Sequence, residues 1–190
     1  LCHRLLADAK LHSLLARVDE DLARACRDAA CRVCRGRLHR ASYPRKARGP
    51  CAGEDVRRWS FCCSIEGCRK RHTPASVRFL GRRVYWSAVI VLLSALAHGV
   101  SPRRARQLRE WVGVSRRTLS RWREWWLEAF VSSAIWRELS GRFDVPVDSR
   151  TLPKSLLERF APLDQLDPLR MLSFLKLLGP LTTGNGDTAL

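Results

Sequence analysis

Apolar side chains recur at Leu11, Leu14, Leu15, Val18, Leu22, Ala25, Cys26 and Ala29 with charges between them, close to the 3.6-residue period of an α-helix. That spacing predicts one amphipathic helix over 4–29. The pattern then shortens: 37–43 and 56–63 suit strands, and the Pro- and Gly-containing stretch 44–50 between them excludes regular structure. Residues 82–98 are apolar on most sides (Val84, Trp86, Val89, Ile90, Leu93, Leu96), which predicts a buried helix ended by Gly99. Ser101-Pro102 supplies an N-cap followed by Pro at the first helical position, so the next helix runs through Trp111. After Val112-Gly113-Val114, Ser115 caps a further helix reaching about Phe130. Beyond Ser140, Pro146, Pro153, Pro162, Pro168 and Pro180 cut the chain into short pieces, with helices expected at 153–160 and 168–178 and a disordered end over 182–188.

The expected fold is mainly α with a small β zinc ribbon. Its units are an amphipathic helix (1–30), a zinc ribbon with a basic loop (31–76), a helical helix-turn-helix domain (77–137) and an irregular proline-rich tail (138–190).

Cysteine spacing sharpens the middle of that picture. Eight cysteines include Cys31-Arg32-Val33-Cys34, and a two-residue spacer lets both sulfurs reach one metal ion. Gly36 is expected to take the positive φ of that turn. Strand alternation puts Trp59, Phe61 and Cys63 on one face and Cys62 on the other, so Cys63 faces the metal if the aromatic pair faces the core. Cys63 and Cys68 then enclose a second knuckle, with Gly67 available for its turn. An alternative set takes Cys68 and His72 together with Cys63. Cys26, on the apolar stripe of the first helix, reads as a core thiol, and Cys51 as a free one. A catalytic zinc needs an open coordination position and a nearby base; Glu66 carries no deaminase signature beside it, so the site reads as structural.

The formal net charge is +17, and its distribution is uneven. Residues 32–83 carry +12 and residues 101–130 carry +5, while 1–31 and 84–100 are neutral. A localised positive field attracts phosphate polyanions by counterion release, which makes duplex DNA the first expected partner. Of 35 basic residues 30 are Arg, and a GC-rich genome encoding Arg at solvated positions is the competing explanation. Leu108, Val112, Val114, Leu119 and Trp122 are spaced to form the shared centre of two steeply crossing helices, leaving Arg116, Arg117, Ser120, Arg121 and Glu124 outward. Arg45, Lys46 and Arg48 of the loop form a basic arm that orders on phosphates. Trp122, Trp125 and Trp126 read as core. Arg109 departs from the small residue that allows close helix approach, so either the crossing is wider or Arg109 snorkels outward. The apolar run Ala88–Ala97 is half the ~20 residues of a membrane span, and Asp8 and Lys10 interrupt any leader; a reducing cytoplasm, and association with the nucleoid, are expected.

Cys31-x2-Cys34, Tyr43-Pro44-Arg45-Lys46, Phe61-Cys62-Cys63 with Cys68, Arg78-Phe79-Leu80-Gly81-Arg82-Arg83 and Gly113-Val114-Ser115-Arg116-x-Thr118-Leu119-x-Arg121-Trp122 together resemble the N-terminal portion of bacterial insertion-sequence transposases, over residues 20–130. The resemblance implies a structural Zn²⁺ on Cys31, Cys34, Cys63 and Cys68, and DNA contacts from Arg116, Arg117, Ser120 and Arg121. It implies binding to element ends or a promoter as a transposition accessory or regulator. Transposase catalysis rests on three carboxylates holding two metal ions. Asp144, Asp148 and Glu158 lie too close together in a proline-broken tail to build that site, so no enzymatic activity is expected. Two other readings stay open: an adaptor for a transposase or recombinase, and a truncated transposase without its catalytic domain. A homodimer is compatible with all three.

Overall fold

The computed structural model describes residues 2–45, 48, 56–80, 85–98 and 101–183. The fold is mainly helical, with a small antiparallel sheet and four cysteines drawn together. The expected N-terminal helix is two, α1 (Cys2–Leu6) and α2 (Ala9–Asp28). They separate because the Asp8 carboxylate accepts a hydrogen bond from the Lys10 amide at 2.8 Å and caps α2. The buried stripe of α2 is Leu11, Leu15, Asp19 and Ala23, whereas Ala25 and Ala29 are exposed.

Five short strands follow. β1 (Leu38–Arg40) pairs antiparallel with β4 (Phe61–Cys63), which pairs on its other side with β5 (Arg71–His72). A second ladder joins β2 (Tyr43–Pro44) to β3 (Arg57–Arg58). Each expected strand is therefore bent into two, and Pro44 lies in a ladder instead of the loop. β5 has two residues, too few to leave a period in the sequence.

α3 (Ser87–Leu96) is the hub: all ten of its residues are buried. α1, α4 (Pro102–Val112), α5 (Arg116–Trp125), α7 (Lys154–Leu157) and α8 (Pro168–Leu177) all pack on it. α5 continues into a π-helical turn, Trp126–Phe130, and α6 (Ala134–Ser140) follows. Trp122, Trp125 and Trp126 are buried, with Trp125, Trp126, Phe130 and Trp136 in mutual ring contact. Gly99 lies outside the described residues, as do 184–190.

The proline-broken stretch is not an irregular tail over its described length. Leu152, Leu156, Leu157, Met171, Phe174 and Leu175 are buried in the core, where α8 lies against α2 and α3. The prolines start elements: Pro168 occupies the first turn of α8, and Asp167 caps it by accepting from the Leu169 and Arg170 amides. No described helix is long and apolar enough to cross a membrane.

One buried polar cluster ties these parts together. Asp19, 1% exposed, accepts from Ser76 Oγ and the Val77 amide at 2.7 Å each and from Arg78 Nε at 3.0 Å. Arg58, also buried, donates to the Pro74 and Thr182 carbonyls at 2.6 and 3.2 Å, and Thr182 Oγ1 accepts from the Ser76 amide at 2.9 Å. α2, β3, the segment after β5 and the C-terminal turn thus meet at one point.

Candidate metal centre and basic helix face

Two loops bring four sulfurs together. After α2, Cys31 and Cys34 sit on a turn closed by bonds from the Arg35 amide to the Cys31 carbonyl (2.8 Å) and from the Cys31 amide to the Gly36 carbonyl (2.9 Å). After β4, the Cys68 and Arg69 amides both donate to the Ile65 carbonyl at 3.0 Å. Gly36 does not take the left-handed conformation expected of it; Ala30 (φ 59°) and Arg35 (φ 62°) do around the first turn, and Arg69 (φ 44°) in the second. Gly36 is needed for closeness instead: a Cβ there would lie 2.5 Å from Ile65 Cγ1 and 2.9 Å from Cys63 Sγ.

The Sγ atoms of Cys31, Cys34, Cys63 and Cys68 all lie within 4.8 Å of one another. Cys31 and Cys68 are 3.7 Å apart, and Cys34 and Cys63 3.4 Å. A tetrahedral ion with sulfur bonds of about 2.3 Å separates its ligands by roughly 3.8 Å, so these residues lie close enough to bind one metal ion. Cys63 shares its strand face with buried Phe61, while Cys62 turns away and donates to the Arg69 carbonyl at 3.3 Å. His72 Nε2 stands 3.3 Å from Cys31 Sγ, placing it against a candidate ligand and outside the four-sulfur set. Cys26 is half-buried beside the cluster, and burial pushes its thiol up. Cys51 lies outside the described residues.

The backbone favours charge on one sulfur above all. The Cys34 amide, helped by that of Val33 and by His72, overcomes burial and holds the Cys31 thiol down at about 6. The Gly36 and Lys70 amides pull on Cys34 and Cys68, but neighbouring thiols and burial outweigh them and both are raised; burial raises Cys63. Four thiols this close do not all ionise without a cation among them, the condition under which a metal displaces protons.

The second candidate region is built by α4 and α5. Ser101 and Ser115 cap them as expected, accepting from the Arg104 and Thr118 amides. Gly113 is left-handed (φ 71°), and the Val114 amide returns to the Arg109 carbonyl at 3.0 Å. Leu108, Val112, Val114, Leu119 and Trp122 are buried, while Arg116, Arg117, Ser120 and Arg121 are exposed. Sequence reasoning passed over Arg123, seven residues after Arg116 on the same helical stripe and also exposed, and the exposed Arg103, Arg104 and Arg106 of α4. Arg109 is half-buried and lines an open groove between α4 and α5, each of which packs mainly on α3.

The loop residues divide. The Arg45 amide pairs with the Val56 carbonyl and its guanidinium lies 5.6 Å from the Phe79 ring centre, directed at the body of the protein. Arg48 is exposed and forms a β-bridge with Tyr85. Tyr85 in turn donates to the Gly113 carbonyl at 3.2 Å and stacks edge-on against Trp122, which ties Arg48 through Tyr85 to the α4–α5 turn. Lys46 lies outside the described residues.

No family model matches the chain, and no curated protein or solved structure shows significant similarity to it.

Proposed function

We propose that this is a zinc-stabilised protein that binds duplex DNA through the α4–α5 helix-turn-helix, as a transposition accessory or regulator of the kind its sequence resembles. The observation that carries the reading is the state of the arginines. None of the eight between 101 and 130 makes a side-chain hydrogen bond or ion pair with a described residue. Elsewhere on the surface Arg24, Arg27, Arg142, Arg150 and Arg170 each pair with an acid. What sets α4 and α5 apart is concentration: eight arginines without an acid partner among the described residues stand on two neighbouring helices, the uncompensated charge that a surface for an external polyanion requires.

In this reading Arg117 and Arg121 project from the second helix toward base edges, where a bidentate arginine–guanine contact contributes about 1–3 kcal/mol of discrimination. Exposed Arg48 adds a contact beside the turn. The four cysteines hold a single Zn²⁺, the ion favoured by a closed all-thiolate tetrahedron, and the metal fixes the two knuckles that organise the sheet. Its role is structural, since all four positions are filled by protein sulfur. The test is duplex binding by the full chain and by Arg117→Ala/Arg121→Ala across a salt series. Salt-dependent binding by the wild type, lost in the double variant while zinc content is unchanged, supports the reading; binding unaffected by the double variant refutes the role given to α5.

A further inference from the structure

An open groove with a volume near 820 Å³ lies between α4 and α5. Arg106 and Arg109 line it from α4, Arg116 and Arg123 from α5, and Leu96 and Leu119 form part of its floor. Both helices rest on α3, and Arg109 lines the gap between them. Among the described residues, none of these four guanidiniums has a hydrogen-bond or ion-pair partner, and Glu110, which also lines the groove, pairs with none of them.

Four like charges around one groove repel each other, and an anion between them removes that repulsion and releases counterions. The ligand that fits is long, anionic at intervals and apolar between its charges. We propose that one sugar–phosphate strand of bound DNA lies in this groove. Its phosphates sit against Arg106, Arg109, Arg116 and Arg123, and its deoxyribose carbons against the apolar floor. The inference rests on the duplex-binding reading and divides its residues into two sets. Arg116, Ser120 and Arg123 are spaced at i, i+4 and i+7 on the groove side of α5, while Arg117 and Arg121 fall on the adjacent stripe. The first set positions the strand; the second reads bases.

The division is tested with a duplex selected by the full-length protein from a random pool and a scrambled duplex of equal length. Affinities are measured over a salt series for the wild type, Arg106→Gln/Arg123→Gln, Arg106→Lys/Arg123→Lys and Arg117→Lys/Arg121→Lys. Both groove residues in the substituted pair are solvent-exposed, so the fold tolerates their exchange. The glutamine pair is expected to weaken both duplexes by the same factor and to make the log–log salt slope shallower by about 1.8, at roughly 0.9 per phosphate. The lysine groove pair restores the slope, because a phosphate contact needs charge and not a planar fork. Arg117→Lys/Arg121→Lys keeps the slope but reduces the selected-to-scrambled ratio by about tenfold or more. An unchanged slope in the glutamine pair, or a loss of discrimination there, overturns the groove assignment while leaving duplex binding intact. A salt-independent wild type overturns the duplex-binding reading and the groove with it.

Discussion

At the scale of single residues, Asp19 ties the first long helix to a segment far along the chain. It sits on the buried stripe of α2, and its oxygens hold Ser76, Val77 and Arg78, 57 to 59 positions away. Removing one member of a buried, hydrogen-bonded ion pair costs about 3–5 kcal/mol, because the partner charge stays buried. Asp19→Ala is therefore expected to lower the unfolding free energy by about that amount, read from a lowered urea midpoint, whereas Asp21→Ala, whose pair with Arg24 is exposed, leaves it nearly unchanged. Gly36 gives a second contrast. Gly36→Ala places a methyl against Cys63 Sγ and Ile65 and is expected to weaken metal retention in a chelator competition, while Gly67→Ala, with no atom within 4 Å, is neutral. His98 gives a third. Burial, then Arg123 and Lys154, push its imidazole below the ordinary value of 6.5. The unfolded chain thus takes up the proton first as pH falls, so this contribution to stability is complete above 6.5 and is lost as pH drops toward the folded value. Thermal melts should show an acid-side decline that His98→Leu flattens. None of these roles was legible beforehand. A charge on an apolar stripe resembles any other interruption of a helical period, and partners distant in sequence leave no local mark.

Elements whose causes are local were legible. The caps Ser101 and Ser115, Pro102 at the first helical position and Gly113 at the turn each act within four residues, and α4 and α5 begin and end where they indicate. Gly113→Ala forces an L side chain into the left-handed region and is expected to destabilise the protein by about 1 kcal/mol, read as a shifted urea midpoint. Strand alternation put Cys62 and Cys63 on opposite faces, but which of them meets the other sulfurs depended on where Phe61 turned, and only the fold answers that. Angles between elements were not legible either. The groove depends on how α4 and α5 settle on α3, and Arg109 marked that question without answering it. The same holds for β1 to β4, where two expected strands bend into two ladders.

At the scale of the whole molecule, Arg48 of the first basic stretch is tied to the second. It bridges Tyr85, and Tyr85 donates to the carbonyl of the α4–α5 turn. The acidic residues that balance charge elsewhere are engaged locally, as in Arg142–Glu138 and Arg170–Asp167. Proline spacing after Ser140 marked where pieces of chain end but not where they pack, and Leu156, Met171 and Phe174 close the core against α2 and α3. A fully cored helical body carrying an unpaired basic face is what the DNA-binding account requires. Its most direct test is the salt dependence of duplex binding by full-length protein whose zinc content is determined in the same sample. The account predicts one zinc per chain and a log–log slope of about −3.6 or steeper, from at least four neutralised phosphates. A slope near zero in zinc-loaded protein would contradict it.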